Sequence, residues 1–226
     1  MMTTVEQLFG IEYPILQGAM ANISTHKLVG PVSEAGGLGI IGACGMSAEQ
    51  LREEIRLTRA ITNKPFGVNL MLQMPNCDEL VQVILEEGIG VVTTGAGSPK
   101  KYMPIFKEAG IKVIPVIASV KHAIKMEAAG ADAVIAEGQE AGGHIGQTAS
   151  LSLLPQVVDA VAIPDVDYSG GETLRQLHGE LEGHGIKLVI AEAMGPVAEA
   201  LDRYELLGLL GEGARFSTID DVLAAF

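Results

Sequence analysis

Three helix-patterned stretches end on the same step, alanine then glycine, directly before an apolar run: Glu34-Ala35-Gly36, Glu108-Ala109-Gly110 and Ala128-Ala129-Gly130. Glycine closes a helix in the left-handed conformation at no steric cost, so each step reads as a helix stop followed at once by a strand. A chain that repeats helix, glycine and short apolar strand builds βα units. Strands buried on both faces between helices pair in parallel, with right-handed crossovers. The same beat predicts strands at residues 14–18, 38–42, 65–72, 91–94, 112–118 and 131–136, and helices at 26–35, 47–62, 78–87, 102–109, 120–129 and 151–161. Ser47 is placed to cap the 47–62 helix, with Glu49 and Gln50 in its first turn, and residues 148–150 form the cap region of the 151–161 helix. That gives six βα units up to residue 161. An open doubly wound sheet and a closed barrel both satisfy this much of the pattern.

The last third keeps the rhythm. Strands are expected at residues 163–168 and 187–193, and helices at 171–182, 196–207 (opened by Pro196) and 218–226. Two further units make eight, the number that closes a barrel, and 226 residues lie within the usual length of one. The expected fold is α/β: a single (βα)8 TIM-type barrel spanning residues 1–226 as one domain. No linker-like Gly/Ser/Pro stretch divides it. Six strands left open beside a separate C-terminal piece would be the alternative, with two sheet edges to cover.

Composition narrows the function classes. A hydrophobic content of 48% fits a well-buried globular core, and a net charge of −13 excludes the basic surface that non-specific nucleic-acid binding needs. Cys44 and Cys77 are the two cysteines and form no framework, so a reducing, cytoplasmic location is expected. No apolar run reaches the roughly 18 residues of a membrane span, and residues 1–10 lack the basic flank and apolar core of a secretory signal. No membrane partner is expected.

The candidate site begins at the stretch Ala136-Glu137-Gly138-Gln139-Glu140-Ala141-Gly142-Gly143-His144-Ile145-Gly146, which follows the apolar run at 131–135. Paired glycines let a backbone approach a flat or anionic ligand closely, and His144 beside them can donate a proton or a hydrogen bond. A surface turn with a solvated histidine is the plainer alternative. Together with Gln17-Gly18-Ala19-Met20, Gly36-Gly37-Leu38-Gly39 and Phe66-Gly67-Val68-Asn69, this stretch resembles the flavin-dependent enoyl-ACP reductases and the related nitronate monooxygenases (2-nitropropane dioxygenases). The resemblance covers about residues 1–164 and is closest to the enoyl-reductase branch. It implies a TIM barrel with FMN at the C-terminal ends of its strands. Gly18, Ala19 and Met20 would line the isoalloxazine, Asn69 would hydrogen-bond it, and Glu137, Gly142 and Gly143 would flank it. His144 would sit near flavin N5 and position or protonate the substrate. NAD(P)H is the implied hydride donor, the substrate a small molecule or acyl thioester, and a homodimer the assembly to test. Taken singly, Asn69 could cap a strand end, Met20 could fill core, and Glu137 could pair with a lysine.

Beyond residue 164 the motifs change. The Gly-Gly-Ile and Gly-Thr-Arg-Phe strand ends that hold the FMN phosphate in that family are absent, and Gly213-Ala214-Arg215-Phe216 is a faint echo placed after helix. Asp167-Tyr168-Ser169-Gly170, Glu172-Thr173-Leu174, residues 185–191 and Gly195-Pro196-Val197 resemble instead the second half of a STAS domain, as in sulfate transporters and anti-anti-sigma factors. That resemblance implies a chimera joined near residues 163–165, six units from the flavin-enzyme-like part and two from the STAS-like part. It leaves two further readings open: a recombined fold without catalytic activity, and a STAS-like regulatory module. Ser169 matches a phosphoacceptor of the anti-anti-sigma factors, but the segment follows the transporter branch more closely, and a helix N-cap is the favoured reading of it. Ser169-Gly170-Gly171 and Gly195 open helices, and helix N-termini bind anions, so both are candidate replacement seats for the phosphate.

Overall fold

The computed structural model describes residues 4–142 and 146–161, together with residues 179, 182–183, 190–191, 208, 210, 215–216 and 224–225. The chain divides into two compact units, Met1–Ile163 and Pro164–Phe226.

The first unit is an α/β layer built on a five-stranded parallel sheet in the order β1-β2-β3-β4-β5. Its strands are β1 (Gly39–Gly42), β2 (Phe66–Met71), β3 (Val91–Gly95), β4 (Lys112–Ile117) and β5 (Ile135–Ala136). Every strand neighbours the next in sequence, the progression by which a sheet curls toward a barrel. The crossovers carry α2 (His26–Glu34), α3 (Ala48–Ile61), α4 (Cys77–Glu86), α5 (Met103–Glu108), α6 (Val120–Ala128) and α7 (Ser150–Ala160). The glycines that ended the predicted helices have the expected conformation: φ is +103° at Gly36, +71° at Gly110 and +89° at Gly130.

Side-chain alternation along the strands sorts the core into two layers. Ile41, Val68, Leu70, Val92 and Val113 pack with Leu51 and Ile55 of α3, Leu80 and Ile84 of α4 and Phe106 of α5. On the opposite face Leu38, Ile40, Val91 and Ile114 pack with Phe9, Ile11, Ala133 and Ile135. Helix α3 is capped as its sequence predicts, with Ser47 Oγ accepting the Gln50 N–H and the Gln50 side chain accepting the Ser47 N–H. It is clasped to the end of α4 by charge. Arg52, Arg56 and Arg59 all reach Glu87, at 3.0, 3.2 and 2.9 Å, and Arg52 also reaches Glu86 at 2.5 Å.

Some expectations differ in extent. The predicted strand at 14–18 makes a single parallel bridge, Leu16 to Leu38, because only Leu38 N–H to Ile15 O and Gln17 N–H to Leu38 O lie in ladder geometry. The predicted strand at 131–136 shortens to Ile135–Ala136. A short helix not foreseen, α1 (Val5–Phe9), is closed by a capping box between Thr4 and Gln7. In the second unit the described strands are β6 (Ile190–Ala191) and β7 (Arg215–Phe216), paired in parallel. Arg215 and Phe216 therefore belong to a strand. Among the described residues no helix is long and apolar enough to cross a membrane.

Candidate functional site

In a parallel sheet every strand delivers its carboxyl end to the same side, and loops there can converge on one ligand. Gly42, Asn69 and Thr93 are successive partners in the β1–β2–β3 register. By alternation they share the face of Ile40 and Val91, turned away from α3, α4 and α5. Asn69 is half-buried within β2, not at its end, and its Nδ2 donates to Thr93 Oγ1 at 2.9 Å, leaving the amide oxygen as an acceptor.

The turn Gly18-Ala19-Met20 lies on the end of β1. A Cβ on Gly42 would stand 2.9 Å from Met20 O, and the Gly42 N–H donates to Ser24 O at 3.0 Å. Close approach is thus bought by glycine at position 42. A Cβ on Gly18 would meet nothing within 4 Å, so that side of the turn is open. Met20 is 42% exposed, which removes the core alternative for it. Sequence reasoning assigned no role to Gln17 or Ser24. Gln17 lies inside the Gln-Gly-Ala-Met motif, and Ser24 carries no sequence signal.

Glu137 follows β5 directly, half-buried, with its N–H donating to Ile117 O at 2.8 Å. From there the chain closes a loop onto α7. Gln139 N–H donates to Thr148 O at 3.0 Å, and the Glu140 carboxylate accepts the Ser150 N–H at 3.0 and 3.1 Å and the Ser150 hydroxyl at 2.9 Å. The expected cap within 148–150 is therefore replaced. The N-cap residue Ala149 offers no side chain, and a carboxylate ten residues upstream serves the first turn of α7. Hydrogen bonds from its own backbone N–H, and then from Ser150, hold the Glu140 carboxyl below its ordinary value. Gly142 is exposed, and a Cβ on it would meet nothing within 4 Å. Gly143 and His144 lie outside the described residues, as do Ser169 and Gly195.

Next to the turn, at the ends of β1 and β2, the Cys44 thiol donates to Met71 Sδ at 3.3 Å, a soft, polarisable contact. Among the described residues no group of three or more His, Cys, Asp or Glu side chains is placed to hold a metal ion. A cleft of about 450 Å3, lined by Phe9, Arg59, Lys64, Phe66, Val91 and Lys112, lies at the opposite, amino-terminal ends of the strands. Ligand chemistry in this architecture belongs to the carboxyl ends, so the cleft is set apart from the candidate site.

The model of the nitronate monooxygenase family matches residues 2–80 and 75–177 of this chain. The chain belongs to the nitronate monooxygenase family. The match runs past Pro164 and across Ser169, further than the sequence motifs reached. The chain is 40% identical, over 160 residues, to the "(3aS,4S,5R,7aS)-5-hydroxy-7a-methyl-1-oxo-octahydro-1H-indene-4-carboxyl-CoA dehydrogenase" of Mycobacterium tuberculosis, which takes in 71% of this chain and 45% of that protein. A probable nitronate monooxygenase of Staphylococcus aureus is 35% identical over 210 residues, 73% of this chain and 59% of its own. Among solved structures, a mutant of FabK from Thermotoga maritima superposes with a TM-score of 0.71 at 52% identity, over 73% of this chain and 55% of that one. The chain spans about half the length of the curated relatives it matches.

Proposed function

We propose that this member of the family is an FMN-binding oxidoreductase that takes an electron-poor substrate, an α,β-unsaturated acyl thioester in first place, at the carboxyl ends of β1 to β5. The observation that carries this reading is the packing of the open Gly18–Met20 turn against Gly42 at the end of β1, beside Asn69, the register partner of Gly42 in β2. The residues fit a flavin ring: an approach left open at Gly18 and Gly142, and an amide on the inner face whose oxygen is free to accept. FMN, when bound, supplies two-electron redox chemistry. The chain's own residues bind and orient. The backbone of Gly18, Ala19 and Met20 lines one side of the ring, Asn69 accepts a ring N–H, and Glu137, Gly142 and Gly143 flank it from the β5 loop. His144 donates to the oxygen on which negative charge develops and stabilises it.

The thioester preference draws on the carboxyl-CoA named for the mycobacterial relative and on the likeness to FabK. A nitronate substrate is the second reading, supported by the family match itself. The test is a pair of assays on the full chain with FMN. NAD(P)H consumption that depends on an enoyl thioester supports the first substrate, and oxygen uptake with a nitronate supports the second. Turnover of neither substrate by a chain that binds FMN refutes the catalytic proposal and favours a recombined fold that kept only its flavin seat.

A further inference from the structure

The turn that faces the proposed flavin is not held by its own backbone alone. Ser24 is 1% exposed, and its Oγ accepts the Met20 N–H at 2.9 Å and the Gln17 Nε2–H at 2.9 Å. Its N–H donates to Met20 O at 2.9 Å. Gln17 Nε2 also donates to Gly18 O, while Gln17 Oε1 accepts the Ile40 N–H of β1 at 3.2 Å. Two side chains thereby engage Gly18 O and Met20 N–H and anchor both to β1. Among the described residues the N–H and C=O of Ala19, between them, have no partner. One donor and one acceptor are left on a turn whose neighbours are tied down, the pairing that a planar heterocycle with adjacent carbonyl and N–H groups takes up.

We infer that Gln17 and Ser24 are positioning residues for the flavin, acting through the Ala19 backbone. This rests on the FMN reading above. A buried serine with this many partners could instead serve only the fold, and the two roles differ in what they move. A purely structural role lowers stability, whereas a positioning role lowers flavin affinity in a chain that is still folded.

The experiment measures FMN affinity by quenching of flavin fluorescence, alongside amide hydrogen exchange, in the full chain and in Ser24→Ala, Gln17→Glu and Ser24→Thr. Removing the hydroxyl leaves two donors without an acceptor. Ser24→Ala is therefore expected to weaken FMN binding about tenfold and to speed exchange at Met20 by a similar factor. The amides of Val68 and Val92, deep in the sheet, should exchange as in the parent. Gln17→Glu keeps the acceptor for Ile40 but loses both donors, so it should move affinity in the same direction. Ser24→Thr retains the hydroxyl and should stay within about threefold of the parent, a mild overpacking at most. Parent-like FMN affinity in Ser24→Ala despite faster exchange at Met20 would overturn the inference, and so would unchanged exchange at Met20. If Ser24→Ala loosens Val68 and Val92 as well, Gln17→Glu decides: a folded variant with undiminished affinity overturns the inference. Absence of FMN binding by the parent chain defeats the FMN reading itself and the inference with it, and it is seen before any variant is made.

Discussion

Gly138 and Gly142 lie four residues apart in the same loop, and alanine should act on them in opposite ways. At Gly138 a Cβ would stand 2.5 Å from Glu140 Oε2 and closer still to the Ser150 amide nitrogen and hydroxyl oxygen. The backbone would have to retreat by about 1 Å to restore ordinary contact, which breaks the Glu140–Ser150 bonds that serve the first turn of α7. Overpacking of this kind costs about 1–3 kcal/mol, and a chain of this size loses roughly 2–4 °C of melting temperature per kcal/mol. Gly138→Ala should therefore melt about 2–12 °C below the parent in scanning fluorimetry. At Gly142 the added methyl meets open space, so Gly142→Ala should melt within about 1 °C of the parent. With FMN present the pattern changes: both variants should bind flavin at least about tenfold more weakly, one because the loop has moved and the other because the methyl fills the ring's approach. A Gly142→Ala protein that melts lower than Gly138→Ala would refute the loop geometry. Unaltered flavin affinity in Gly142→Ala would refute its place beside the ring.

Three further outcomes are expected. Burial pushes the Glu87 carboxyl up, but Arg52, Arg56 and Arg59 together outweigh this and bring it below its ordinary value of 4.5. Its contribution is thus present above the unfolded value and lost as pH falls through the folded one. The stability difference between the parent and Glu87→Gln, about 1 kcal/mol at neutral pH, should shrink as pH falls below the ordinary carboxylate range, and a gap that ignores pH would speak against the clasp. Gly39→Ala would place a Cβ 2.9 Å from Val29 Cα and nearer to Val29 O, where β1 and α2 touch backbone to backbone. A fall of about 3 kcal/mol or more in urea-derived stability is expected, and a change under 1 kcal/mol would contradict that contact. Asn69→Ala loses the bond to Thr93 and the free amide oxygen, so FMN affinity should drop about tenfold with little more than 1 kcal/mol of destabilisation in the same titrations. A larger loss of stability than of affinity would assign Asn69 to the core.

The βα rhythm was legible because its punctuation is chemical. Gly36, Gly110 and Gly130 adopt the left-handed conformation that their position after a helix demands, and Ser47 with Gln50 forms a capping box. The ends of the ladder were less legible. Residues 14–18 and 131–136 carry strand-like apolar runs, yet pairing depends on a neighbour in register, and propensity alone does not supply one. The open turn at Gly18 and the inward-facing Asn69 lie where a motif fixes backbone shape. The candidate site was unreadable where a distant side chain does the holding. Nothing in the spacing of Glu140 and Ser150, or of Gln17 and Ser24, announces that a carboxylate will cap α7 or that a buried hydroxyl will hold the turn. Such contacts arise only when the fold brings two loops together.

The most direct test of the central claim is a titration of the full chain with FMN, followed by flavin fluorescence quenching and by the visible absorbance of the bound ring. The proposed site predicts saturable binding of one FMN per chain, with a dissociation constant in the micromolar range or tighter, near −8 kcal/mol or more favourable. A chain that stays colourless and leaves flavin fluorescence unquenched up to about 1 mM FMN, an affinity no better than about −4 kcal/mol, would contradict it.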